Sequence, residues 1–168
     1  WDIRQNEKVV DIFSNIWQTP KEELLTSFDG AAFHFPPEET NRGWYRQTWY
    51  HTDQSYLRPG FECIQSWVTA YDVSEGDATL AFMEKSNKYH AEFAKTFEIK
   101  DKSDWYKHTE KEQRFYEEKG CEEKRIICSA GSMVFWDSRT IHCGTESMRN
   151  RKDKKIRNVV YVCMTPRK

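Results

Sequence analysis

Seven short runs of strand-forming residues, separated by tight-turn chemistry, constrain this chain more than any other feature of its sequence. The runs are Ala31 to Phe35, Thr48 to Asp53, Glu62 to Asp72, Thr79 to Met83, Arg125 to Cys128, Ser132 to Asp137 and Asn158 to Met164. Arg58-Pro59-Gly60, Ser74-Glu75-Gly76-Asp77 and Ala130-Gly131 supply the residues that tolerate a tight bend. Hairpin connections of this kind imply antiparallel pairing, and seven or eight short strands suit two packed sheets. The expected fold is therefore mainly β: a double-stranded β-helix, or jelly roll, with flanking helices.

The helices are signalled separately. Val9, Val10, Ile12, Phe13, Ile16 and Trp17 recur at spacings of one, three and four after a possible N-cap at Asn6, which predicts an amphipathic helix over 6–17. Thr19-Pro20-Lys21-Glu22 predicts a short helix through Leu25, and Thr109-Glu110-Lys111-Glu112 with Gly120 predicts another over 110–119. No repeat or low-complexity tract competes, so residues 1–168 read as a single domain. The chain opens at Trp1 and reads as mid-domain, so an upstream portion is expected outside this sequence.

Composition narrows the function classes. Seven Trp, eight Tyr and ten Phe supply buried surface that a disordered chain lacks. A net charge of −1 argues against generic polyanion binding, so nucleic acid is not an expected partner. No apolar run is long enough to span a membrane, and no signal segment opens the chain. Five cysteines, none in a C-x-x-C pair, read as reduced thiols and favour the cytoplasm or another reducing compartment. Oligomeric state is not readable.

Three pairs can be considered for metal binding: His51-Thr52-Asp53, His90-Ala91-Glu92 and His108-Thr109-Glu110. Such a spacing alone is weak, so context decides. On a strand, residues two apart project from the same face with Cα atoms about 6 to 7 Å apart. On a helix they do not face one another. His51 follows the strand-like run Gln47-Thr48-Trp49-Tyr50, whereas His90 and His108 lie in a polar, helical or looped stretch and read as solvated histidines. His142, just after the strand ending at Asp137, becomes a neighbour of His51 if the sheets close over one another.

Two histidines and one carboxylate form the facial triad of non-haem Fe(II) oxygenases, which leaves positions open for a chelating cosubstrate and dioxygen. Zinc is the competing metal, but no H-E-x-x-H helix is present and iron is favoured. A cosubstrate such as 2-oxoglutarate needs a cation for its distal carboxylate, and the planar fork of an arginine suits that task. Among the arginines of the basic stretch 149–157, Arg157 alone abuts the apolar final strand and is the choice, with Arg151 as a substitute. The rest of that stretch reads as a solvated loop, with an electrostatic patch for an anionic substrate as the alternative.

With these residues in place, the chain resembles the phytanoyl-CoA dioxygenase family of Fe(II)- and 2-oxoglutarate-dependent oxygenases. The resemblance runs through Trp1-Asp2-Ile3-Arg4, Ser27-Phe28-Asp29-Gly30, His51-x-Asp53, Gln65-Ser66-Trp67-Val68, the stretch Gly131 to Arg139 leading to His142, and Arg157. It implies that His51, Asp53 and His142 hold iron and form the catalytic centre, and that Arg157 grips 2-oxoglutarate. It also implies that Gln65 and Trp67 line the cosubstrate pocket, the alternatives being ordinary core packing for Trp67 and a buried amide that satisfies a neighbouring backbone group for Gln65. Asp137 and Arg139 are candidates to orient His142, with a plain surface ion pair as the alternative. Where many members carry a Pro-Gly-Ser-His-Lys turn, this chain reads Glu84-Lys85-Ser86-Asn87-Lys88, and Arg157 lies unusually far beyond His142.

The expected activity is O2-dependent hydroxylation of a small molecule with release of succinate and CO2. Two alternatives remain: a catalytically silent jelly-roll binding module that keeps the metal site, and a metal-dependent hydrolase or isomerase. Trp105, Tyr106, Phe115 and Tyr116 border either the substrate pocket or the core, and helical spacing favours core.

Overall fold

A computed structural model describes residues 1–40, 44 and 48–167. Ten strands are present among them: β1 (Leu24–Thr26), β2 (Ala31–His34), β3 (His51–Thr52), β4 (Ile64–Thr69), β5 (Thr79–Met83), β6 (Tyr106–Lys107), β7 (Glu123–Arg125), β8 (Met133–Asp137), β9 (His142–Thr145) and β10 (Arg157–Pro166). Three α-helices accompany them: α1 (Glu7–Trp17), α2 (His90–Thr96) and α3 (Glu110–Glu118). All strand pairings are antiparallel. One sheet runs β1-β10-β4-β8 with β2 also on β10; the other runs β6-β3-β9-β5-β7. The non-consecutive neighbours are the crossovers of a jelly roll, as the strand count predicts.

Alternation along the strands assigns three layers. On the first sheet, Ile64 and Val68 of β4, Met133 and Phe135 of β8 and Val162 and Met164 of β10 face outward onto α1. That helix starts where the sequence predicts, with the Asn6 carboxamide accepting from the Lys8 amide at 3.0 Å. Its fully buried Phe13 meets Phe135 edge-on at 5.5 Å. Between the sheets, Trp67, Leu80 and Val159 form the inner core beside Val134, Trp136 and Tyr161. Behind the second sheet, Tyr50, Tyr56, Ala81, Met83 and Ile141 pack with Phe93 of α2 and Tyr116 of α3.

Several local expectations are corrected. The helix expected through Leu25 is one 3-10 turn, Lys21–Glu23, after which β10 recruits Leu24–Thr26 as an edge strand. The expected run Arg125 to Cys128 pairs earlier, as Glu123–Arg125 against β5; beyond it the Ile126 amide donates to the Leu80 carbonyl and Cys128 forms an isolated bridge with Val73. β6, β9 and the helix α2 were not anticipated as separate elements. The strand-like run before His51 shrinks to His51–Thr52, and Gln47 lies outside the described residues. The capping box at Thr109 forms in full, with Glu112 closing it. In the basic stretch, Arg151 is tied to Glu38 at 2.6 Å, with only 1% of its side chain exposed. Gly76, at φ +82°, lets that chain pass: a Cβ there would lie 2.8 Å from the Arg151 Cβ.

Candidate metal centre

His51 and His142 are direct cross-strand partners in the β3–β9 register. Both side chains therefore leave the second sheet on its inner face, and Asp53 follows His51 onto that side by the two-residue period. The turn after β8 is fastened to the loop after β3. The Asp53 and Gln54 amides both donate to the Ser138 carbonyl, at 3.2 and 3.1 Å. The Ser138 hydroxyl donates to Gln54 Oε1 at 2.8 Å. Asp53 and His142 thus share one rigid support.

The result is a compact donor set. One Asp53 carboxylate oxygen lies 3.5 Å from His51 Nε2 and the other 3.2 Å from His142 Nε2. One ligand atom from each residue lies within 4.8 Å of the others. Each Nδ1 sits against a backbone carbonyl, Trp49 O at 3.1 Å and Thr140 O at 2.9 Å. A carbonyl oxygen only accepts, so Nδ1 carries the ring proton and Nε2 turns a lone pair toward the carboxylate. Two lone pairs and an ionised carboxylate repel one another unless a cation lies among them. Ligands side by side on an ion with bonds of about 2.1 Å stand roughly 3 Å apart, close to the two distances seen. The residues fit a divalent ion held on one face.

A cavity of about 820 Å³ opens on this triad. Arg157, Gln65, Trp136 and Tyr161 contribute one wall from the inner face of the first sheet. Arg157 Nε, Gln65 Oε1 and Trp136 Nε1 are buried there without hydrogen-bond partners. Buried polar atoms are ordinarily satisfied, so this group fits a polar ligand with both acceptor and donor atoms. Trp67 differs from the sequence reading. It shares a face with Gln65 but lies one pair deeper, fully buried with Leu80 and Val159, so it backs the cavity instead of lining it. The cavity's opposite wall includes Glu123, Arg125 and Glu146, none singled out from the sequence because β7 and the end of β9 meet only through the β5 register.

The remaining candidates are placed as follows. His90 and His108 are not solvated: they are 1% and 4% exposed within the aromatic core behind the second sheet. His90 stacks on Tyr56 at 4.3 Å, and His108 Nε2 meets the Tyr56 hydroxyl at 2.5 Å. Burial pushes the His108 imidazole down to about 4. Asp137 and Arg139 form a two-pronged ion pair, with bonds of 2.9 and 2.6 Å, while Arg139 also donates to the Pro59 carbonyl. The pair shapes the turn ahead of His142 without touching its ring. Of the four aromatics considered for the substrate side, Tyr106, Phe115 and Tyr116 belong to the core and Trp105 stands at the cavity mouth.

A jelly roll whose inner face carries a His-x-Asp…His set is the architecture of non-haem iron oxygenases. The phytanoyl-CoA dioxygenase family pattern matches residues 1–158, and this chain belongs to that family. It is 28% identical, over its whole length, to "Ava biosynthesis cluster protein O" of Aspergillus versicolor, of which it covers 54%. The chain thus spans about half the length of this curated relative. The fold is similar to that of the epimerase SnoN solved with Fe3+, alpha ketoglutarate and nogalamycin RO, with a TM-score of 0.62, 13% identity, and coverage of 98% of this chain and 57% of that one. It is likewise similar to AviO1 from Streptomyces viridochromogenes Tue57, with a TM-score of 0.61, 13% identity, and coverage of 97% and 58%.

Proposed function

We propose that this chain is the catalytic part of an Fe(II)- and 2-oxoglutarate-dependent oxygenase acting on a small molecule. The observation that carries the reading is the convergence of His51, Asp53 and His142 on one point of a cavity whose wall also holds Arg157. The family membership supports it. When bound, iron and 2-oxoglutarate supply O2-dependent oxidation of a C–H bond, with the cosubstrate converted to succinate and CO2.

The chain's own residues do the rest. His51, Asp53 and His142 hold the ion on one face, and the Trp49 and Thr140 carbonyls keep both imidazoles in the tautomer that can ligate. Arg157 receives the distal carboxylate of 2-oxoglutarate, and the Gln65 carboxamide with the Trp136 indole N–H orients the remainder of that molecule. Trp67, Leu80 and Val159 close the floor, so water reaches the centre only from the mouth.

The test is anaerobic addition of Fe(II) and then 2-oxoglutarate, read by the weak visible charge-transfer band of a chelated pair, followed by O2 and assay of succinate. A band and O2-dependent succinate are expected from the intact protein, and neither from Asp53→Ala. Zinc-supported turnover without oxygen would refute the reading. Oxygen-18 incorporation into product then separates hydroxylation from inversion at the same carbon, the outcome suggested by likeness to an epimerase.

A further inference from the structure

The indole rings of two tryptophans at the cavity mouth have no role in holding metal or cosubstrate. Trp49 and Trp105 are 41% and 52% exposed, although indoles of this size are ordinarily well covered. Both line the cavity, and both rings lie against His51: Trp49 parallel to it at 4.7 Å and 8°, Trp105 tilted at 5.6 Å and 34°. The Trp49 indole N–H is committed to the Gly144 carbonyl at 3.0 Å, which fixes its ring plane.

Trp105 is held there against its own backbone preference. Its φ is +66°, in the left-handed region that a bulky L residue rarely adopts. The contact that keeps it is its amide, which donates to the Asp53 carbonyl at 3.0 Å. Its neighbour Tyr106 turns into the aromatic core and donates to Glu112 at 2.5 Å, leaving the indole outside on the mouth. Core packing therefore does not account for the placement of Trp105.

Charge narrows what these rings receive. With Arg157, Asp53, His51 and His142 committed, the ionisable groups left among the described residues of the lining are the carboxylates Asp29, Glu123 and Glu146, the imidazole of His34 and one guanidinium, Arg125. Arg125 already donates to the Asp77 and Glu146 carbonyls. Among the described residues, this lining does not match a ligand carrying several phosphate charges.

We propose that Trp105, together with Trp49, is the substrate-recognition element, and that the prime substrate presents an uncharged planar ring that stacks on these indoles beside the triad. The assignment rests on the oxygenase reading above and names the substrate class of that same site. The cavity is large enough for 2-oxoglutarate and a ring compound together. Stacking on an aromatic face tolerates many ring types, so the site selects shape and flatness ahead of any one functional group.

The experiment uses 2-naphthol as the planar probe and palmitoyl-coenzyme A as the charged-chain probe, in equilibrium dialysis against the protein loaded anaerobically with Fe(II) and 2-oxoglutarate. Saturable 2-naphthol binding is expected, unaffected by palmitoyl-coenzyme A. Trp105→Ala should weaken it about tenfold or more, Trp105→Phe no more than about threefold. Trp105→Gly should weaken binding equally yet raise Tm, because glycine adopts a positive φ without strain. A Trp105→Ala protein that binds 2-naphthol as tightly as the parent overturns the proposal, as does absence of saturable 2-naphthol binding or preference for palmitoyl-coenzyme A. If the parent protein gives no Fe(II)–2-oxoglutarate band, it is the oxygenase reading that fails; an intact band with altered probe binding isolates the tryptophans.

Discussion

Four buried histidines divide into two pairs whose surroundings could hardly differ more. His51 and His142 stand on the inner face of the second sheet with a carboxylate between them and a cavity in front. His90 and His108 stand behind the same sheet, enclosed by Tyr56, Phe93 and Tyr116. All three His-x-acid pairs have the same spacing in sequence. The strand period puts Asp53 beside His51, whereas Glu92 turns away on α2 to pair with Lys119 at 2.5 Å, and Glu110 is exposed at the first position of α3. Spacing becomes a site only through the backbone that carries it.

The sharpest way to break this contrast is to exchange the fates of the two pairs. His51→Ala or Asp53→Ala is expected to reduce O2-dependent succinate release to background while circular dichroism and Tm stay near those of the parent. His90→Phe should do the reverse, keeping succinate release and changing Tm. Loss of turnover in His90→Phe with an unchanged Tm would erase the distinction.

Acid should act next most strongly, through His108 of the core pair. The His108 imidazole titrates near 6.5 in the unfolded chain and about 4 in the folded one, so between those values the unfolded state binds more protons. Stability is therefore full above about pH 6.5 and falls as pH drops toward 4, by roughly 3 kcal/mol over the window. Denaturant midpoints measured across that range should lose this slope in His108→Phe; a slope that persists would assign the acid sensitivity elsewhere.

Arg157→Ala sharpens the cavity side. Loss of a paired, charge-assisted contact should weaken 2-oxoglutarate binding by about 30- to 100-fold, equivalent to roughly 2 to 3 kcal/mol. An unaltered dissociation constant by titration calorimetry would move the role to another cation. The smallest effect is expected from Thr109→Ala, which opens the capping box of α3 behind His108 and should cost about 1 kcal/mol in chemical denaturation, with 2-oxoglutarate affinity unchanged.

Much of this was legible beforehand, for local reasons. α1 and α3 begin at their predicted caps because an Asn or Thr oxygen satisfies amides within its own turn. β5 matches its predicted bounds, Thr79 to Met83, where strand-formers end at turn residues. The sequence reading went wrong where distant partners decide. Leu24–Thr26 becomes a strand because β10 is long enough to offer it an edge. Trp67 recedes into the core because Leu80, from the opposite sheet, covers it. His90 and His108 were read as solvated because the flanking residues are polar, and the aromatic core that encloses them is assembled from segments as far apart as Tyr50 and Tyr116.

Sequence alone established the strand-rich class, the pairing of His51 with Asp53 by strand period, and the chemical suitability of His142 and Arg157. The tertiary structure decided the β3–β9 register that sets the two imidazoles opposite each other, and the orphaned polar wall around Arg157. It also decided the exposed indole of Trp105. The division has a physical cause: periodicity and capping act over a few residues, whereas cross-strand register and cavity walls exist only after chain segments about 90 positions apart have been brought into contact.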